Sequence, residues 1–276
     1  MFTLNCKGKL LHITEPIVMG IINVTPDSFY EGSRKQQQTA WLNTAAQMLE
    51  EGAAILDIGG QSTRPGSEAI GVQEEMDRVL PAIAGVHHAF PEAILSIDTY
   101  HHQVAKAAVE AGASIVNDIS AGNMDEAMIA TVADLQVPYI AMHMKGTPAT
   151  MQQQAKYHDI ATEVLDYFIT KLETLKKAGM KDIVVDPGFG FGKTIEQNFE
   201  LLKKMHVLHM LNAPILAGLS RKSTIWKTLN ITPKEALNGT TVLNTLALQQ
   251  GASILRVHDV KEAVEAIKLY QAFKKA

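Results

Sequence analysis

The sequence predicts an α/β protein, a single (β/α)8 barrel of the TIM type preceded by an N-terminal β-hairpin. Three observations carry that prediction. Short apolar runs alternate with helical patterns eight times over roughly 250 residues, the count and length of such a barrel. The apolar runs are rich in Ile and Val with little polar alternation, as parallel strands covered on both faces require. Helical patterns end at Gly52, Gly112, Gly179 and Gly251, each leading into the next strand, where a left-handed C-terminal residue is favoured. The rival arrangement is an open, doubly wound sheet. No composition break or linker divides the chain, so one domain is expected over 1–276, with the hairpin at 1–14 and the barrel at 15–276.

Taken in order, FTLNCKGKLLHI places a Lys-Gly turn between two strand-like runs and reads as the hairpin. Barrel strands are expected at 17–23, 54–58, 94–98, 114–117, 137–142, 183–186, 214–217 and 254–257. Helices are expected near 39–51, 73–88, 101–111, 124–134, 158–178, 195–206, 234–250 and 260–274. The segment Ser220–Trp226 reads either as a short helix whose first N–H groups favour an anion or as a plain Ser/Thr cap. Three strand-to-helix loops are long, at 24–38, 59–72 and 143–157. All fall on the C-terminal rim of the barrel, where these folds keep their active sites.

Composition narrows the function. A net charge of -4 and a pI near 6.2 argue against a nucleic-acid binder, which is usually basic. Cys6 is the only cysteine, so no disulfide forms within the chain. The first residues lack the apolar core of a signal peptide, and no apolar run is long enough to span a bilayer. A cytoplasmic protein without membrane partners is the expectation.

The stretch VDPGFGFGKT at 185–194 resembles a phosphate-binding loop only superficially. The glycine that a P-loop needs five residues before its Gly-Lys pair is replaced by Pro187, and the third glycine of a dinucleotide loop by Lys193. Thr194-Ile-Glu-Gln197 fits a capping box instead, so Lys193 and Thr194 are read as a helix start. What remains is Asp186 at the end of an apolar run.

Polar residues close all eight strands: Asn23, Asp57, Asp98, Asn117, His143, Asp186, Ser220 and Arg256. Singly, each reads as a cap or turn residue; together, they converge on one opening. Asp98, Asn117 and Asp186 suit a planar heterocycle with an amidine-like N–H edge, such as a pterin or a guanine. Arg64, Arg221, Lys222, Arg256 and His258 form a cationic group suited to a phosphate or diphosphate. Arg64 or Arg221 alone reads as a solvated surface charge. Arg256 interrupts an apolar strand and needs a partner. The pairs His87-His88 and His101-His102, and His206 with His209, read as surface positions. Met142 and Met144 either line a flat-ring pocket or fill core. No structural zinc site is spelled out; a magnesium ion would be held through one or two oxygens plus a substrate phosphate, and Asn23 is a ligand of that sort.

With these residues in place the sequence resembles the dihydropteroate synthase family. GIINVTPDSF, DIGGQSTRPGS, SIDT, VNDISAG, MHMKGTP, DPGFGFGK, GLSRKS and RVHDV follow one another in that family's order through nearly the whole chain. The resemblance implies a barrel, usually homodimeric, that condenses (7,8-dihydropterin-6-yl)methyl diphosphate with 4-aminobenzoate, giving 7,8-dihydropteroate and diphosphate in folate synthesis. Sulfonamides that mimic aminobenzoate act on this family. Carried over residue by residue, it implies that Asp98, Asn117 and Asp186 hold the pterin edge. Lys222 would bond the ring's carbonyl side, Ile119 and Met142 would pack on its face, and Arg256 would cover it. Asn23 would ligate Mg2+. Thr63, Arg64, Arg256 and His258, with Asn23, would hold the diphosphate. Thr63, Pro65, Phe191 and Ser223 would form the aminobenzoate side. Arg64, Lys222, Arg256 and His258 would carry the catalysis, by stabilising the leaving group. Loops 24–38 and 59–72 would close over the site. Two alternatives stay open on sequence: a methyltetrahydrofolate-type methyltransferase, which does not need the SRKS and RVHD cations, and a catalytically silent pterin-binding paralogue.

Overall fold

A two-residue turn starts the fold. Strands β1 (Phe2–Cys6) and β2 (Lys9–Ile13) pair antiparallel, with Cys6 opposite Lys9. Lys7 and Gly8 between them both take left-handed backbone angles, φ +54° and +91°, the twist that a tight hairpin turn demands. The computed structural model describes residues 1–24, 34–61 and 69–276.

Eight parallel strands follow: β3 (Ile17–Asn23), β4 (Ile55–Gly59), β5 (Leu95–Asp98), β6 (Ile115–Asp118), β7 (Tyr139–Met142), β8 (Ile183–Asp186), β9 (Leu216–Ala217) and β10 (Ile254–Val257). Their order is β8-β7-β6-β5-β4-β3-β10-β9. The two ends of that row meet, because Val185 bridges Ile215 in parallel and its N–H reaches the Pro214 carbonyl at 3.0 Å. The sheet is therefore a barrel and not an open doubly wound layer. The strands predicted to start at 137 and 214 begin two residues later, past Pro138 and at Leu216 beyond Pro214; proline has no N–H to give to a ladder.

The helices are α1 (Arg34–Glu50), α2 (Val72–Ala89), α3 (His102–Ala111), α4 (Met128–Leu135), α5 (Ile160–Lys177), α6 (Ile195–Lys204), α7 (Ser223–Leu229), α8 (Leu237–Gln249) and α9 (Val260–Lys275). Short helix α7 falls where Ser220–Trp226 allowed one. Helix α4 starts later than the predicted 124, because Asp125 folds into a turn in which its side chain accepts from Ala127 N. Asp159 caps α5, accepting from Ala161 N at 3.0 Å and Thr162 N at 3.1 Å. Along α2, Val79, Ala82, Ile83 and Val86 recur at helical spacing and are buried against the outer face of the strands.

The barrel interior is closed at its N-terminal end by the hairpin. Leu4, Cys6 and Ile13 pack on Met19, Ile55, Ile115, Ile140, Val184, Leu216 and Ile254, which lie in the lower halves of seven strands. Asn5 N–H anchors the hairpin to Asp182 just before β8, at 2.9 Å. Cys6 is core filler there: burial, then the Asp182 charge, pushes its thiol up to about 12. With one end plugged, the polar strand ends face the other.

One surface expectation needs correction. His87, His88, His206 and His209 are exposed, but His101 and His102 are only half-exposed. The Nδ1 and backbone N of His102 each lie 2.8 Å from Asp125 Oδ2, which fixes the start of α3.

The capping box of α6 is formed in both directions. Thr194 Oγ1 accepts from Gln197 N at 3.2 Å, and Gln197 Oε1 accepts from Thr194 N at 2.8 Å. Thr194→Ala is expected to lower stability by about 1 kcal/mol, read as a shift of the urea midpoint, and Thr194→Ser to restore most of it.

Candidate active site

The strand register assembles the mouth. Asp98 on β5 sits directly beside Asn117 on β6, and Met142 on β7 beside Asp186 on β8. On β4, Asp57 is fully buried and forms the floor. Its Oδ2 accepts Asn117 Nδ2 at 3.1 Å and Arg256 Nε at 2.6 Å. Arg256, from β10, crosses the opening, and its Nη2 also reaches Asp98 Oδ2 at 2.5 Å. This is the partnership that an arginine inside an apolar strand requires. Burial pushes the Asp98 carboxyl up to about 7; Arg256 opposes the shift, and the charges of Asp57, Asp118 and Asp186 add to it. Burial alone would lower the Arg256 guanidinium, but Asp57 and Asp98 outweigh it and hold it above its ordinary value.

Asp186 lies across the mouth. Its Oδ1 accepts from Gly188 N at 2.7 Å. Burial raises its carboxyl, while Lys222 and that N–H pull it back. Lys222 donates to the Phe189 carbonyl at 2.5 Å and sits 4.9 Å above the centre of the Phe191 ring. Burial lowers its ammonium to about 8, against the pull of Asp186. A side chain at Gly218 would lie 3.7 Å from Lys222 Nζ and 4.0 Å from Asp186 Oδ2, so glycine keeps open the space that these groups share. Gly188 is held for another reason: φ is +70°, and a Cβ there would collide with the His143 carbonyl.

An apolar patch separate from the main core lines the same mouth. Tyr100, Ile119, Met142, Met144 and Met151 are buried together, with Phe191 packed against them. Ile119 is presented by a loop wound around Asp118, which accepts from Ser120 N, Ser120 Oγ, Gly122 N and Tyr139 Oη, each at 2.7 Å. Asp118 thus shapes the wall, and its carboxylate is used up in doing so.

Most of the sequence-expected residues meet here: Asp98, Asn117, Ile119, Met142, Asp186, Phe191, Lys222 and Arg256. His258 and Ser223 stand at the adjoining rim. Ser220 Oγ lies 3.0 Å from His258 Nδ1 and accepts from His258 N at 3.2 Å. Asn23 closes β3 half-buried. Its amide oxygen is a hard, neutral donor, of the kind magnesium takes alongside phosphate oxygens. Among the described residues no three His, Cys, Asp or Glu side chains gather as a metal cage. Thr63, Arg64 and Pro65 lie outside the described residues, as do 25–33 of loop 24–38 and 62–68 of loop 59–72.

Two cations depart from expectation. Arg221 does not face the mouth: its Nε and Nη2 hold Asp259 at 2.8 and 2.7 Å, and its Nη1 holds the Pro233 and Lys234 carbonyls. Lys193 is no ordinary helix-start residue, because it is 3% exposed and wrapped by its own loop. Sequence reasoning also left Asp57 without a role, although an acid inside Ile55-Leu-Asp-Ile58 was a signal that it must be paired. For Lys193 the signal was a lysine closing a loop of alternating glycines.

Comparison with known proteins follows this geometry. Residues 19–258 match the model of the family described as pterin binding enzyme. The dihydropteroate synthase of Escherichia coli (strain K12) is 41% identical over 268 residues, covering 96% of this chain and 94% of that protein. Dihydropteroate synthase of Xanthomonas albilineans, solved with 4-aminobenzoic acid, superposes with a TM-score of 0.92 at 39% identity, covering 99% and 98% of the two chains. The same enzyme in complex with 7,8-dihydropteroate gives 0.90 at 37%, covering 100% of both chains.

The ion cluster supplies its own test. Arg256→Met leaves Asp57 and Asp98 buried without their counter-charge and is expected to cost about 3 kcal/mol of stability, at the low end for a broken buried pair because the guanidinium is one-fifth exposed. Combining it with Asp98→Asn should cost less than the two single changes added together, as a double-mutant cycle in urea would read.

Proposed function

We propose a division of labour among the residues of this chain, which belongs to the pterin-binding enzyme family and, within it, to the dihydropteroate synthases. The chain condenses (7,8-dihydropterin-6-yl)methyl diphosphate with 4-aminobenzoate. The aniline nitrogen bonds to the pterin methylene carbon, the bond from that carbon to the diphosphate oxygen breaks, and the amine loses one proton. The observation that carries the assignment of roles is the split character of the mouth: a carboxylate and amide lip over an apolar wall on β5–β8, facing cations on β10 and after β9.

Asp98, Asn117 and Asp186 take the N–H edge of the pterin, Lys222 its carbonyl side, and Ile119 and Met142 its face. Arg256, with His258 and Arg64, takes the diphosphate. Thr63, Pro65, Phe191 and Ser223 border the aminobenzoate. Asn23 would give an oxygen to magnesium, which when bound would supply a hard positive charge for the diphosphate. No side-chain nucleophile is required, because the substrate amine is the nucleophile. The work left to the protein is electrostatic: cations for the leaving group, anions around the ring that gains positive charge. That distribution favours departure of the diphosphate before attack by the amine. A homodimer is part of the same reading. Val242 and Leu246 on α8 and Leu269 and Phe273 on α9 are large apolar side chains left exposed, a patch that a second copy would cover. A cytoplasmic location is proposed alongside, in keeping with a lone, buried cysteine that forms no disulfide within the chain.

The test has two arms. Diphosphate release should depend on 4-aminobenzoate, with a negligible steady rate without it. In the absence of aminobenzoate, oxygen label in the bridging position of the pterin diphosphate should scramble into non-bridging positions, and Arg256→Ala should suppress this. Release independent of aminobenzoate would contradict the reaction. Absence of scrambling, together with a rate rising steeply with aniline basicity, would contradict early departure.

A further inference from the structure

We propose that Lys193 is a positioning residue for the second substrate: its ammonium gathers the loop after β8 around itself, ties that loop to the end of β7, and so sets where the Phe191 wall stands relative to Met142 and Ile119. The proposal rests on the reading of Phe191 as part of the aminobenzoate side.

The geometry is that of a cation in a nest of acceptors. Burial lowers the Lys193 ammonium to about 7, against the pull of Asp186; in its charged form Nζ has three protons and three near acceptors: the Gly188 carbonyl at 2.9 Å, the Phe191 carbonyl at 2.9 Å and His143 Nδ1 at 3.0 Å. The His143 carbonyl lies further out, at 3.4 Å. Two carbonyls of one short loop converge on one point only if the backbone reverses between them. Gly188, Gly190 and Gly192 do this with φ of +70°, +85° and +64°. The glycines that mimic a phosphate loop therefore do the opposite job: carbonyl oxygens wrap a cation, where a P-loop's N–H groups wrap an anion. In the charged form every Lys193 proton is committed, so none is left for a phosphate.

His143 joins the nest as an acceptor, which requires its proton to sit on Nε2. Burial, with Lys193 and Lys145 adding, holds its imidazole down at about 2, so it stays neutral. Tyr167 packs edge-on against that ring at 4.9 Å, and Tyr157 Oη donates to the Gly192 carbonyl at 3.1 Å. The remaining outward carbonyl of the turn, that of Phe189, receives Lys222. One loop is thus pinned between two lysines, and Phe191 projects from it under Lys222. On its pterin side the nest meets Asp186, whose Oδ1 accepts from Gly188 N at 2.7 Å.

Lys193→Met keeps an unbranched side chain one heavy atom shorter and removes all three donors. It should raise the KM for 4-aminobenzoate by roughly tenfold to a hundredfold, as displaced positioning groups do. Affinity for the hydroxymethyl dihydropterin, read by calorimetry, should fall by a clearly smaller factor than that for aminobenzoate, because Gly188 of the same loop also holds Asp186. Placed in a Phe191→Ala background, the same substitution should lose most of its effect on KM, because its route to the substrate is gone. Lys193→Gln, which retains two donors, should fall between wild type and Met; it carries the test if the Met variant does not fold. A normal KM for aminobenzoate, a parallel fall in pterin affinity, or full additivity with Phe191→Ala would each overturn the proposal. Phe191→Ala with an unaltered KM would instead overturn the underlying assignment of Phe191.

Discussion

A single guanidinium spanning two carboxylates holds the mouth of the barrel in its shape. Arg256 reaches from β10 to Asp57 and Asp98, and through Asp57 to Asn117. Removing such charges from water is costly, and only mutual pairing offsets it. At the mouth, four buried carboxylates (Asp57, Asp98, Asp118 and Asp186) act on one another against three cations (Arg256, Lys222 and Lys193). The excess is one negative charge, and burial makes the site take up a proton to cancel it, with Asp98 as the group pushed up to about 7. The same excess is what a pterin losing its diphosphate would meet. Carboxylates crowded in this way are placed to accept an N–H edge and to meet developing positive charge.

The two ends of the barrel divide the work. The hairpin buries Leu4, Cys6 and Ile13 against the strand interiors and seals the N-terminal end with apolar surface, each fully buried aliphatic contributing about 1.5–3 kcal/mol. That leaves the C-terminal end able to carry buried charge, glycine turns and a lysine enclosed by carbonyls. Asp118 and Lys193 are built alike: each is a buried charge encircled by its own loop, Asp118 by N–H and O–H donors and Lys193 by acceptors. Each fixes one wall of the mouth, Ile119 in one case and Phe191 in the other.

Much of this was legible in the sequence, for identifiable reasons. Unalternating Ile/Val runs and glycine helix ends gave the barrel, and local chemistry gave the Thr194 cap. Convergence of the strand-end polar residues followed from the fold alone. Pairing across the barrel was not legible: Asp57 and Arg256 are 199 positions apart in sequence, and nothing in either segment names the other. Arg221 was misassigned because a rim cation looks the same whether it faces the mouth or, as here, turns to Asp259. Lys193 was misread because a local capping motif explained its neighbour and concealed how deeply its own side chain is enclosed.

The claim of an acidic mouth that loses its extra proton when the ring binds is tested most directly by proton release to the buffer. Calorimetry of the hydroxymethyl dihydropterin, which lacks the diphosphate, should be run in buffers of different ionisation enthalpy. On the proposed assignment the ring binds the carboxylate form of Asp98, so it would compete with the proton, and affinity should fall as pH drops below about 7. Near that pH, binding should release roughly half a proton, declining toward zero by about pH 9, and the release should vanish in Asp98→Asn. Binding without proton release near pH 7, or release unchanged in Asp98→Asn, would contradict the account.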